Sequence, residues 1–169
     1  KVSDFLSEYA IVALGMVAII VIGFWRLLKT RLGKTVFDFL ILRAPIFGKL
    51  IKQFNIAQFC RTMAYLLTSG VPIMKSLDVT GHVLGNTFYR RMVQQARLDV
   101  EKGKTLHEIL GQKEKLFPPT VIQMISVGEE TGQVSDMLMQ LAMFFEEDIN
   151  AVKKNLSKII EPLLMLVVG

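Results

Sequence analysis

The sequence predicts an all-α protein: a cytoplasmic six-helix bundle flanked by transmembrane helices. Three observations carry this. No alternating run of β-branched residues occurs; apolar residues recur at steps of three and four between glycine or proline turns; and Tyr9 to Trp25 carries no charged residue. With 51% hydrophobic residues in 169, the chain is more apolar than an ordinary soluble domain. Its single cysteine, Cys60, excludes an internal disulfide.

Residues 9–28 read as a transmembrane helix, since their length as a helix is about 30 Å. A signal peptide would place its positive charges ahead of the apolar run. Here Lys1, Asp4 and Glu8 precede it, and Arg26, Lys29, Arg31 and Lys34 follow. The positive-inside rule therefore puts the downstream side in the cytoplasm and makes residues 1–8 the end of an extracytoplasmic loop. Residues 29–52 form a basic connector suited to anionic lipid headgroups, interrupted at Pro45. Much of the net charge of +5 lies here, and the remaining Arg90, Arg91 and Arg97 lack interleaved aromatics, so nucleic acid is not an expected partner.

The bundle is expected over residues 53–158. Gln53 to Ser69 is amphipathic, with Ile56, Phe59, Cys60, Met63, Leu66 and Leu67 on one face and Gly70 as its cap. Pro72 suits the first turn of a short helix that Gly81 ends. Asn86 caps the next helix, which buries Tyr89, Met92, Val93, Ala96 and Val100. Thr105 and Glu108 form a capping box over Leu106, Ile109 and Leu110.

The stretch Phe117 to Gly132 reads as a helix entered through Pro118 and Pro119. Gly128 and Gly132 are expected to end it. Glu129 and Glu130 then stand ahead of the following helix, where carboxylates favour the positive end of its dipole. A phosphate loop is a poor reading, because that pattern closes on a lysine and this turn carries two carboxylates. From Val134 apolar residues continue through Leu138, Leu141, Phe145, Ile149, Val152 and Leu156 to Leu163, predicting one long helix over 133–166. Residues 159–169 begin a further membrane span, expected to continue past Gly169.

Glu146, Glu147 and Asp148 interrupt this helix with no Lys or Arg four residues away on either side. They read as a solvated face, with a shared cation site or a surface for a basic partner as alternatives; successive positions fan by about 100°, so one helix cannot aim all three at one metal. His82 and His107 lack ligands at zinc spacing, and no serine sits on a nucleophile elbow. No catalytic or cofactor-binding residue is predicted.

Three blocks, Phe59-Cys-Arg-Thr-Met63, Leu66-Leu-Thr-Ser-Gly-Val-Pro-Ile73 and Phe117 to Gly132, together with Glu161-Pro162, resemble the polytopic inner-membrane platform proteins of type IV pilus assembly and type II secretion. The likeness covers nearly the whole chain. It implies a non-enzymatic scaffold in the bacterial inner membrane, multi-pass, with its main domain cytoplasmic. This piece would be the second span, the second cytoplasmic domain and the start of the last span.

The implied partners are a hexameric assembly or retraction ATPase, pilin or pseudopilin subunits, other inner-membrane assembly proteins, lipid and further copies of the chain. The implied interaction or structural positions are Gly70, Pro72, Pro118, Gly128, Glu129, Glu130, Gly132, Glu147, Glu161 and Pro162. The wording of Phe144 to Ile149 and of Ile160 to Met165 looks closer to the pilus branch. A reading of another class is a transporter or channel subunit with Glu161 as its functional carboxylate. Against it, Tyr9 to Trp25 carries no ionisable residue, and Lys158 stands three positions before Glu161.

Overall fold

The computed structural model describes residues 31–44 and 47–168, with side chains over 34–44 and 47–154. The predicted loop end 1–8, the predicted span 9–28 and Pro45 lie outside them. Among the described residues there are seven helices and no strand: α1 (Arg31–Arg43), α2 (Phe47–Thr68), α3 (Ile73–Val83), α4 (Thr87–Glu101), α5 (Leu106–Gly111), α6 (Pro119–Thr131) and α7 (Val134–Val168). The all-α expectation stands. Six helices become seven because part of the basic connector is itself helical. Two compact units divide the chain between Leu40 and Ile41. In the first, Val36, Phe37, Phe39 and Leu40 of α1 are exposed.

The second unit is organised on α2 and α7, its most extensively packed pair. Helix α2 begins at Phe47 rather than Gln53, and the reason is visible in its inner face. Gln53 and Asn55 are buried there, two polar residues that interrupt the apolar pattern from which a start is read. Ile56, Phe59, Cys60 and Met63 follow, all at most 2% exposed, and meet Leu138, Leu141, Phe145 and Ile149 of α7 in one core. Burying such side chains stabilises by roughly 1.5–3 kcal/mol each before chain entropy is set against it.

Phe117 centres the core. Its ring makes edge contacts with Phe59 (5.3 Å) and Tyr89 (5.5 Å), and the Tyr89 hydroxyl donates to the Leu116 carbonyl at 2.7 Å. One residue of the connection before α6 is thus clamped by α2 and α4. Burial pushes both the Tyr89 hydroxyl and the Cys60 thiol up from their ordinary values.

Gly81 behaves differently from its sequence reading. Helix α3 passes through Gly81 to Val83, because Gly81 is buried against Gln94 and Val93 of α4 rather than free at a terminus. Pro72 sits just before α3 as its N-terminal flank, not inside the first turn. Asn86 caps α4 as expected, accepting from the Phe88 amide at 2.9 Å.

Helix α7 runs 35 residues, about 50 Å, and its backbone remains helical through position 162 to Val168. The side chains of Glu161, Pro162 and Lys158 lie outside the described residues. Among the described residues no helix is long and apolar enough to cross a membrane.

Candidate functional site

The α6–α7 hairpin is tighter than a two-glycine turn. Gly128 does not end α6 but lies buried inside it, and a Cβ there would stand 3.0 Å from the Val134 Cα and 3.1 Å from the Met137 Cγ. Its missing side chain lets α7 fold back directly against the last turn of α6. Only Gly132 turns the chain, at φ 73°, and the Gln133 amide donates to the Gly128 carbonyl at 2.8 Å to close the cap. Gly70 does the same after α2, at φ 76°. Pro118 flanks the start of α6, with Pro119 as its first residue.

Glu129 and Glu130 consequently sit in the last turn of α6, not ahead of α7. Glu129 turns back onto α5. Its carboxylate accepts the backbone N–H groups of Leu106 (2.6 Å) and His107 (3.1 Å), and the His107 ring Nδ1 lies 2.6 Å away. The dipole argument for a carboxylate at a helix start is right in kind, but the helix is α5 rather than α7. The capping box adds a second carboxylate at the same terminus, with the Thr105 amide donating to Glu108 at 3.1 Å. That bond holds the Glu108 carboxyl below its ordinary range. Glu130 is exposed, touched by Ser126 at 3.3 Å.

The acidic run on α7 divides three ways. Glu146 forms a forked ion pair with Arg61 of α2, whose guanidinium is pushed up by that hydrogen bond. Asp148 accepts the Gln53 amide at 2.8 Å. Glu147 alone faces solvent. Absence of partners four residues away therefore said nothing about partners 85 and 95 residues away. Among the described residues no group of three His, Cys, Asp or Glu side chains converges on a metal position.

A groove that no local sequence pattern signals lies between α2, the 113–118 connection and α7. It measures about 350 Å³, with Lys49, Lys52 and Lys115 at its edge and Phe144 and Phe145 in its wall. A second depression of the same size adjoins it between α6 and α7 and shares both phenylalanines.

Cys60 is fully buried with its thiol held protonated, His82 contacts the Asp78 carbonyl at 2.8 Å, and His107 is engaged by Glu129. Arg90 reaches the Leu84 carbonyl at 3.0 Å rather than standing open beside Arg91.

Helical packing and long-range carboxylate caps define an all-helical domain over the described residues. The chain belongs to the family of the type II secretion system (T2SS) protein F, whose model matches residues 59–169. It is 39% identical over 140 residues to the type IV pilus assembly protein PilC of Thermus thermophilus, covering 83% of this chain and 34% of that protein. With PilC of Myxococcus xanthus the identity is 34% over 168 residues, 99% of this chain and 40% of the relative. The type II secretion system protein F of Pseudomonas aeruginosa is 32% identical over 173 residues, 99% of this chain and 41% of its own length. The chain thus spans between a third and a half of these curated relatives.

Proposed function

We propose that this chain is the second cytoplasmic domain, with flanking membrane segments, of an inner-membrane platform protein of type IV pilus assembly. It acts without catalysis, taking up the motion of a cytoplasmic hexameric ATPase and passing it to pilin subunits as they leave the bilayer. The likeness to pilus assembly proteins over most of the chain is the observation that carries the reading. Helix α7 gives it a physical form, since about 50 Å of continuous helix leads from the bundle core toward position 168. A secretion platform driving pseudopilus assembly is the second reading, supported by the family description and the 32% identity to the Pseudomonas protein.

Deletion of the gene, with surface pili and protein export measured in the same strain, decides between them. Loss of pili with export intact, restored by complementation, is the expected result; lost export with intact pili moves the protein to secretion. Co-purification of the full chain with the cell's assembly ATPases tests the coupling, and the coupling reading fails if none is retained.

A further inference from the structure

We propose that the groove between α2, the 113–118 connection and α7 docks an acidic peptide segment of a partner protein, one that carries an apolar anchor residue. The inference specifies a recognition chemistry and holds for either machine.

The first observation is an aromatic side chain left in water at the junction of two depressions. Phe144 is 55% exposed, and its ring stands edge-on to Phe145 at 5.3 Å and 83°. Both depressions include this ring, and their floors are apolar, with Ile56 and Leu116 in one and Met124 and Leu141 in the other. Such a surface suits a partner's aromatic or aliphatic side chain.

Charge at the edge selects the rest of the occupant. Lys49, Lys52 and Lys115 surround the first depression against one carboxylate, Glu114. Among the described residues none of the three lysines is held in an ion pair. The groove therefore favours an occupant with carboxylates beside its anchor and disfavours a basic one.

Gln53 also lines the groove and is fixed there by giving its amide nitrogen to Asp148 at 2.8 Å. A peptide brings carboxylates and an apolar side chain together. An anionic bilayer could meet the lysines but would not follow a concave groove between two helices.

The test uses the purified full chain in non-ionic detergent and a short fluorescent peptide in which aspartates flank a Phe-Leu pair. The control peptide carries lysines in place of the aspartates, and anisotropy reads binding. We expect the acidic peptide to bind, with affinity falling as salt rises, and the basic one not to bind. Lys52→Glu with Lys115→Glu should weaken binding at least about tenfold, and Phe144→Ser should do so while leaving the melting curve in place. Should Phe144→Ser disturb the fold, the lysine pair alone decides. Equal binding of both peptides, or unchanged affinity after charge reversal, overturns the proposal. So does absence of peptide binding with charge-dependent sedimentation on phosphatidylglycerol vesicles, which would make the lysines a lipid contact.

Discussion

The Glu129 carboxylate accepts the Leu106 backbone N–H at 2.6 Å, tying the last turn of α6 to the first turn of a helix 23 residues upstream. Two adjacent glutamates thereby differ in kind: Glu129 is part of the fold, and Glu130 is open to a partner. Replacing Glu129 by Ala strips two partly buried N–H groups of their acceptor and should cost about 2–3 kcal/mol, whereas Glu129→Gln keeps an oxygen and should cost less than half of that. Denaturant midpoints of the three proteins provide the check. A Glu129→Ala protein as stable as the parent would mean the cap contributes nothing.

Gly128→Ala places a methyl 3.0 Å from the Val134 backbone, which cannot move away as a flexible side chain could. The expected cost is about 1–3 kcal/mol. Gly132→Ala meets no neighbour and should cost about 1–2 kcal/mol from its φ of 73° alone. Thermal melts separate the two causes. Shortening Met137 to Ala should recover part of the loss at Gly128 and none at Gly132.

Arg61 and Glu146 are each about one-third exposed, at 33% and 39%, so solvent screens their attraction. A double-mutant cycle with Arg61→Ala and Glu146→Ala should return a coupling of about 1 kcal/mol or less. A coupling several times larger would show that the pair is shielded from solvent to a degree its exposure does not suggest.

The depressed carboxyl of Glu108 sets an acid dependence with a definite sign. Its stabilising effect is present above its ordinary value of 4.5 and is lost as pH falls through the lower folded value. Stability should therefore drop more steeply below pH 4.5 in the parent than in Glu108→Gln. Parallel pH profiles of the two melting temperatures would dismiss the effect. Cys60 runs the opposite way: its raised thiol lets the unfolded chain ionise first, so stability declines as pH climbs past 9.0.

Glu130 and Glu147 are exposed, and neither holds another element of the bundle in place. Glu130→Lys and Glu147→Lys should leave the melting temperature within about 0.5 kcal/mol of the parent in stability terms while reducing surface piliation and ATPase association. Full piliation with both substitutions would remove Glu130 and Glu147 from the interaction positions that the family resemblance implies.

Local patterns made the helices readable: the caps at Asn86 and Thr105, the proline start at Pro118 and the three-and-four spacing along α7 all concern residues within one turn of each other. What escaped was set by distance along the chain. Glu129 to Leu106, Glu146 to Arg61 and Asp148 to Gln53 are polar contacts between helices, spanning 23, 85 and 95 residues, and spacing rules carry no information about them. Gly128 and Gly81 depart from their local pattern for a related reason. A glycine needed for close packing and one needed for a turn look identical until the neighbouring helix is placed.

The burial of Phe145 and Ile149 clamps the rotational phase of α7 as well as its position. An uninterrupted helix keeps that phase, so the core fixes the rotational setting of the α7 backbone as far as Val168. One residue inserted after Lys154 would swing everything beyond it by about 100° and advance it about 1.5 Å, whereas seven would bring it back to within about 20°. In this sense the bundle aims the far end of α7 as a key bit is aimed by its shaft.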